Sequence, residues 1–176
     1  MHVCQIMLVE ADNVNDAFDS VYSHLSEEEP RWSDWHNADN PRTLNFAGRW
    51  SGTVFGTPNA KGVYNADEAP NYLQYSSDPA LAERAITEYL DHRLNDIRSY
   101  QAKAVDLKSY AYDPYSIKFE MDLWATKKLA QMLSDEWTCD SGIYDLEEWT
   151  SNLRSFVVRV KNAPEKQWLI PVDFHF

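Results

Sequence analysis

The chain closes on Phe156-Val157-Val158-Arg159-Val160-Lys161, a break at Asn162-Ala163-Pro164-Glu165-Lys166, and then Gln167-Trp168-Leu169-Ile170-Pro171-Val172-Asp173-Phe174-His175-Phe176. Phe156, Val158 and Val160 alternate with Val157, Arg159 and Lys161. Beyond the break, Trp168, Ile170, Val172, Phe174 and Phe176 alternate with Leu169, Pro171, Asp173 and His175. Period two on both sides of a turn predicts a β-hairpin with one apolar face. Such a face needs a cover, and the rest of the chain supplies helices able to provide it.

At the other end, Val3 to Val9 is apolar at every position but Gln5, the pattern of a strand buried on both faces inside a sheet. Asp12 or Asn13 can cap a helix beginning there. Val14, Ala17, Phe18, Val21, Tyr22 and Leu25 then recur at helical spacing, with Asp16 and Asp19 opposite and near the helix start. Ser77-Asp78-Pro79 opens a long helix reaching about Lys108, and a second spans Phe119 to Leu133. Asp140-Ser141-Gly142 marks a turn, read as a small hairpin over Glu136 to Tyr144, and Asp145 to Leu153 reads as a short helix. Strands at both ends with helices between predict one α+β domain over 1–176. Its antiparallel or mixed sheet joins the N-terminal strand to the C-terminal hairpin, under two to four helices on its apolar side.

Residues 31–76 have no sustained period. They hold Trp32, Trp35, Phe46, Trp50 and Phe55 with most of the glycines, and read as loop with short strands at Leu44–Phe46 and Trp50–Phe55. A long loop inside a compact domain is often where function lies.

Charge narrows the function classes. Sixteen basic against 28 acidic residues give a net charge of −12, which repels phosphates and argues against direct nucleic-acid binding. A basic surface on another protein is the complementary partner. Cys4 and Cys139 make no disulfide framework, and no apolar run approaches the ~20 residues of a membrane span. With no signal-peptide pattern, the expected setting is a reducing cytoplasm.

Three constellations could carry chemistry. Arg49 and Trp50, with Trp35 nearby in sequence, could grip a carboxylate or phosphate or stack on a ring; the plainer reading is tryptophan core with Arg49 paired to Asp34. Asp173 and His175 share one side of the last strand and, joined by His36, could bind a metal or exchange protons; an exposed or a hydrogen-bonded pair is the alternative. Glu27, Glu28 and Glu29, with Glu147 and Glu148, could meet a basic groove, or be solvated turns and caps. No zinc-protease, nucleophile-elbow, phosphate-loop or dinucleotide motif occurs. No resident metal or cofactor is expected.

The opening strand–helix, Asp34-Trp35, Gly48-Arg49-Trp50 with Gly52, and the terminal Val172-Asp173-Phe174-His175 together resemble small uncharacterised proteins encoded by bacteriophages. In those, Asp-Trp, Gly-Gly-Arg-Trp and Val-Asp-X-His recur; here Ala47 replaces the first glycine. The resemblance covers the two ends and the tryptophan-rich stretch and brings no activity with it. It implies a phage accessory protein acting in the host bacterial cytoplasm. Three readings remain open: a binder that inhibits or redirects a host protein, for anti-defence or takeover; a small metal-dependent hydrolase using Asp173, His175 and His36; and a structural or self-assembling protein, a homodimer included.

Overall fold

The computed structural model describes residues 2–27, 34–35, 44–57, 59–64, 69–106, 117–133, 142–148, 150 and 152–175. In chain order these form β1 (His2–Glu10), α1 (Val14–Glu27), β2 (Asp34–Trp35), β3 (Leu73–Gln74), α2 (Pro79–Asp106), α3 (Ile117–Leu133), β4 (Gly142–Asp145), α4 (Arg154–Asn162) and β5 (Gln167–His175). The fold is α+β, with a mixed sheet in the order β2-β5-β1-β4 and β3 also on β5.

The two ends of the chain are neighbouring strands, as the patterning predicts. β1 and β5 run antiparallel in continuous register from His2↔His175 to Glu10↔Gln167. β4 lies parallel to β1 on its other side, with Gln5↔Gly142 and Leu8↔Asp145. β1 is thus interior, and both of its faces are buried. Along the outer edge of β5, β2 pairs at His175 and Phe174, Phe46 accepts the Asp173 N–H at 2.8 Å, and β3 pairs at Leu169 and Trp168. Three short pieces of the irregular stretch therefore cover an edge that would otherwise present open backbone.

Helices cover both faces of the sheet, not the single apolar side expected. On the first face, Val3, Met7, Val9, Ile170, Val172 and Phe174 meet Ala17, Phe18, Val21 and Leu25 of α1. Asn13 caps α1, its Oδ1 accepting from the N–H groups of Asn15 and Asp16 at 3.0 and 3.1 Å. Full burial of Phe18, Val21 or Leu25 contributes about 1.5–3 kcal/mol each, which fixes α1 on this face. On the second face, Cys4, Ile6, Leu8, Ile143 and Leu169 meet Ala82, Ala85 and Tyr89 of α2 and Phe156 of α4.

The expected first arm of the C-terminal hairpin is a helix. Phe156 to Val160 lie within α4, where Phe156 is buried while Val157 and Val158 are 48% and 53% exposed. Three valines in Phe-Val-Val-Arg-Val satisfy a two-residue alternation as readily as a helical one, and the run is too short for period alone to decide. Leu44–Phe46 and Trp50–Phe55 are turn and irregular backbone; the strands of this stretch are β2 and β3. Gly142–Asp145 pairs parallel with β1 instead of closing a hairpin, and 134–141 lie outside the described residues. Of the short helix expected at 145–153, Asp145 ends β4 and 146–148 form a turn, while 149 and 151 lie outside the described residues; helix begins at Arg154.

Candidate functional site

The sequence places Asp173 on a strand; the structure buries it completely and makes it the anchor of the Gly48-Arg49-Trp50 turn. Asp173 is opposite Cys4 in the β1–β5 register and so points to the second face, with His2 on the same side two residues away. His2 Nδ1 lies 3.0 Å from Asp173 Oδ1. A carboxylate only accepts, so Nδ1 carries the proton in this pairing. The backbone N–H of Arg49 donates to Asp173 Oδ2 at 3.0 Å. A fully buried carboxylate is tolerated because each oxygen has a donor.

Gly48 is required at this contact. Its φ is +51°, and a Cβ there would stand 2.8 Å from the Asp173 Cβ. The glycine lets the backbone rise over the aspartate. Local bonds brace the turn: Ser51 Oγ donates to the Gly48 carbonyl at 2.7 Å, Thr53 Oγ1 to the Trp50 carbonyl at 2.6 Å, and the Ala47 N–H to Asn45 Oδ1 at 3.0 Å.

Arg49 is exposed, and its guanidinium makes no hydrogen bond or ion pair among the described residues. Trp50 packs against the second-face core, and its Nε1 is buried without a hydrogen-bond partner among the described residues. Of the expected aromatic platform, Trp50 is thus a half-buried wedge. β2 brings Asp34 opposite His175 and Trp35 opposite Phe174, so the three short motifs of the sequence meet at one end of the sheet. The side chains of Trp35 and His175, and all of His36, lie outside the described residues.

Near Asp173, Cys4 is 1% exposed and bonds to Tyr89. Burial pushes its thiol up to about 12, with the Tyr89 hydrogen bond acting in the opposite sense. Burial, with the neighbouring Cys4, raises the Tyr89 hydroxyl as well. Both groups are structural and neutral at ordinary pH.

A second polar group sits at the other end of the sheet. Asp145, wholly buried, accepts from Arg159 Nη2 at 2.6 Å and from the Glu147 N–H at 3.2 Å, both on Oδ1. Its Oδ2 has no partner among the described residues. Arg159 also reaches Gln167 Oε1 at 3.2 Å and Glu10 Oε2 at 3.5 Å. Glu147 Oε1 accepts the Glu10 N–H at 3.1 Å, and Glu147 and Glu148 are exposed. Glu10 lies six residue steps along β1 from Cys4, so about 20 Å of strand divides the Asp173–Arg49 end of the sheet from the Glu10–Glu147 end, and the two do not form one contact patch. Among the candidate acids, Glu27 ends α1, while Glu28 and Glu29 lie outside the described residues.

Nothing in the sequence marked His2 as the partner of Asp173, although both extend the face of Cys4, Ile6 and Leu8. Arg159 was missed because it reaches Asp145 only from a helix. Among the described residues, no group of three His, Cys, Asp or Glu stands where it could share a metal ion, and no helix is long and apolar enough to cross a membrane. No protein-family model matches the chain, and neither a curated protein nor a solved structure shows significant similarity to it.

Proposed function

We propose that this chain is a non-enzymatic accessory protein of phage type that docks its acidic face on a basic surface of a host protein in the bacterial cytoplasm, inhibiting or redirecting that protein. The distribution of charge carries the reading. The first thirty residues contain Glu10, Asp12, Asp16, Asp19, Glu27, Glu28 and Glu29 and no Lys or Arg. α1, which covers one face of the sheet, turns Asp16 and Asp19 to solvent. A single-sign surface on a rigid helix steers a complementary partner and repels like-charged ones.

The hydrolase reading draws less support. Asp173, its central residue, is buried with both oxygens accepting hydrogen bonds, and a metal or substrate there would have to displace His2 or lift the Arg49 turn.

The test is affinity capture from bacterial lysate with quantitative mass spectrometry. D16K/D19K should lose the captured protein while keeping the wild-type melting temperature, and E147K/E148K should lose less. Undiminished capture by D16K/D19K contradicts the reading.

A further inference from the structure

α4 is the electrostatic opposite of α1. Arg154, Arg159 and Lys161 are its charged residues, and it carries no acid. Arg159 turns inward to Asp145, and Phe156 and Val160 pack on the second-face core. The outward side is left with Arg154, Val157, Val158 and Lys161, spaced at i, i+3, i+4 and i+7 and all exposed. Neither Arg154 nor Lys161 has a side-chain partner among the described residues. Two half-exposed valines sit between these two cations, on a helix where valine is a poor local choice. Local preference and fold disagree here, which is the pattern of a surface kept for contact.

The two helices lie on opposite faces of the sheet, α1 on the first and α4 on the second. The contrast is between these two helices: α4 carries cations flanking an apolar pair where α1 carries carboxylates, while α2, also on the second face, carries both signs. The outer side of α1 presents Asp16 and Asp19 with Ser20 and Ser23, side chains small enough to let another helix approach. From this complementarity we infer that the outer face of α4 is a docking site for the acidic α1 face of a second copy of this chain. Because the two surfaces differ, the contact is head-to-tail, and it leaves one α1 face and one α4 face free at the ends of each assembly. The inference rests on the reading of α1 as a docking face and adds its regulation: self-association covers the same carboxylates a host protein would use.

Net charge works against this contact and makes it testable. D16K/D19K moves the chain from −12 to −8 by adding four units, and R154E/K161E moves it from −12 to −16 by subtracting four. If overall repulsion governed association, the first variant would assemble better than wild type. If α1 meets α4, both variants lose assembly, because each now opposes like charges at the contact.

The experiment is sedimentation velocity over a concentration series, with circular dichroism and thermal melting to confirm folding. Wild type should show concentration-dependent assembly. Each charge variant alone should be monomeric. A mixture of the two should assemble again, since the new lysines on α1 of one variant then face the new glutamates on α4 of the other. V157S/V158S, which keeps charge and helix preference, should weaken assembly by about tenfold or more. A wild-type monomer at every concentration overturns the inference, as does failure of the mixture to restore assembly. Capture of a host protein by D16K/D19K in lysate would instead strike at the docking role of α1, so the two failures are told apart.

Discussion

Asp173 accepts the backbone N–H of Arg49 across 124 residues of chain, and this one bond sets where the exposed Arg49 side chain leaves the sheet. The carboxylate is out of reach of bulk water, because the residue is fully buried and its other oxygen is held by His2. The Gly48-Arg49-Trp50 turn is therefore attached to the strand that pairs with the start of the chain.

Replacing Asp173 by Ala removes the acceptor of both His2 and Arg49. The expected loss is about 2–4 kcal/mol of unfolding free energy, since charge-assisted bonds are lost and the donors are left in a poorly hydrated site. Urea unfolding measures it. H2A, which leaves Asp173 with only the Arg49 N–H, should also destabilise the protein, but by less.

Gly48→Ala should cost about 1–3 kcal/mol, combining a positive φ with a Cβ pressed on Asp173. The cost should shrink in a D173A background, because most of the atoms that clash are gone. A double-mutant cycle by chemical denaturation reads the coupling.

Arg159→Ala strands Asp145 as a buried charge without its guanidinium. A loss of about 3–5 kcal/mol is expected. R159M combined with D145L should recover much of it, as an apolar pair needs no compensation. Thermal and urea melts of the three variants test this.

The alkaline limb of stability is set in part by Cys4. Its thiol is raised in the folded state from 9.0 to about 12 by burial. A group raised on folding contributes fully below its unfolded pKa and loses that contribution as pH rises through the window to the folded value. Stability should therefore fall between about pH 9 and 12, and Tyr89, also raised, adds to the fall at the upper end. In a C139S background, native protein at pH 8 should resist a thiol reagent and become reactive on unfolding. Fast labelling of the folded protein would contradict the burial of Cys4.

The ends of the chain were legible because they are long and strongly patterned. Val3 to Val9 reads as an interior strand because both of its alternating sets are apolar, and Trp168 to Phe174 keeps a two-residue alternation of apolar side chains. α1 and α2 were legible from stripes and caps. α4 was not, because Phe-Val-Val-Arg-Val fits both periods and its exposed valines imitate a strand. The partners of Asp173 were hidden for another reason: register, which places His2 beside it, is a property of the paired strands and of neither alone. In residues 31–76, glycine and tryptophan marked a stretch of importance, but its hydrogen bonds to the β5 edge depend on a tertiary surface the local sequence does not encode.

The docking role of α1 is tested most directly by a hydrogen-exchange footprint of the protein with and without its captured partner. Slowed exchange is expected over Val14–Glu27, with unchanged exchange over the 48–53 turn. Protection of that turn and of β5, with α1 exchanging as in the free protein, would contradict a docking role for the helix.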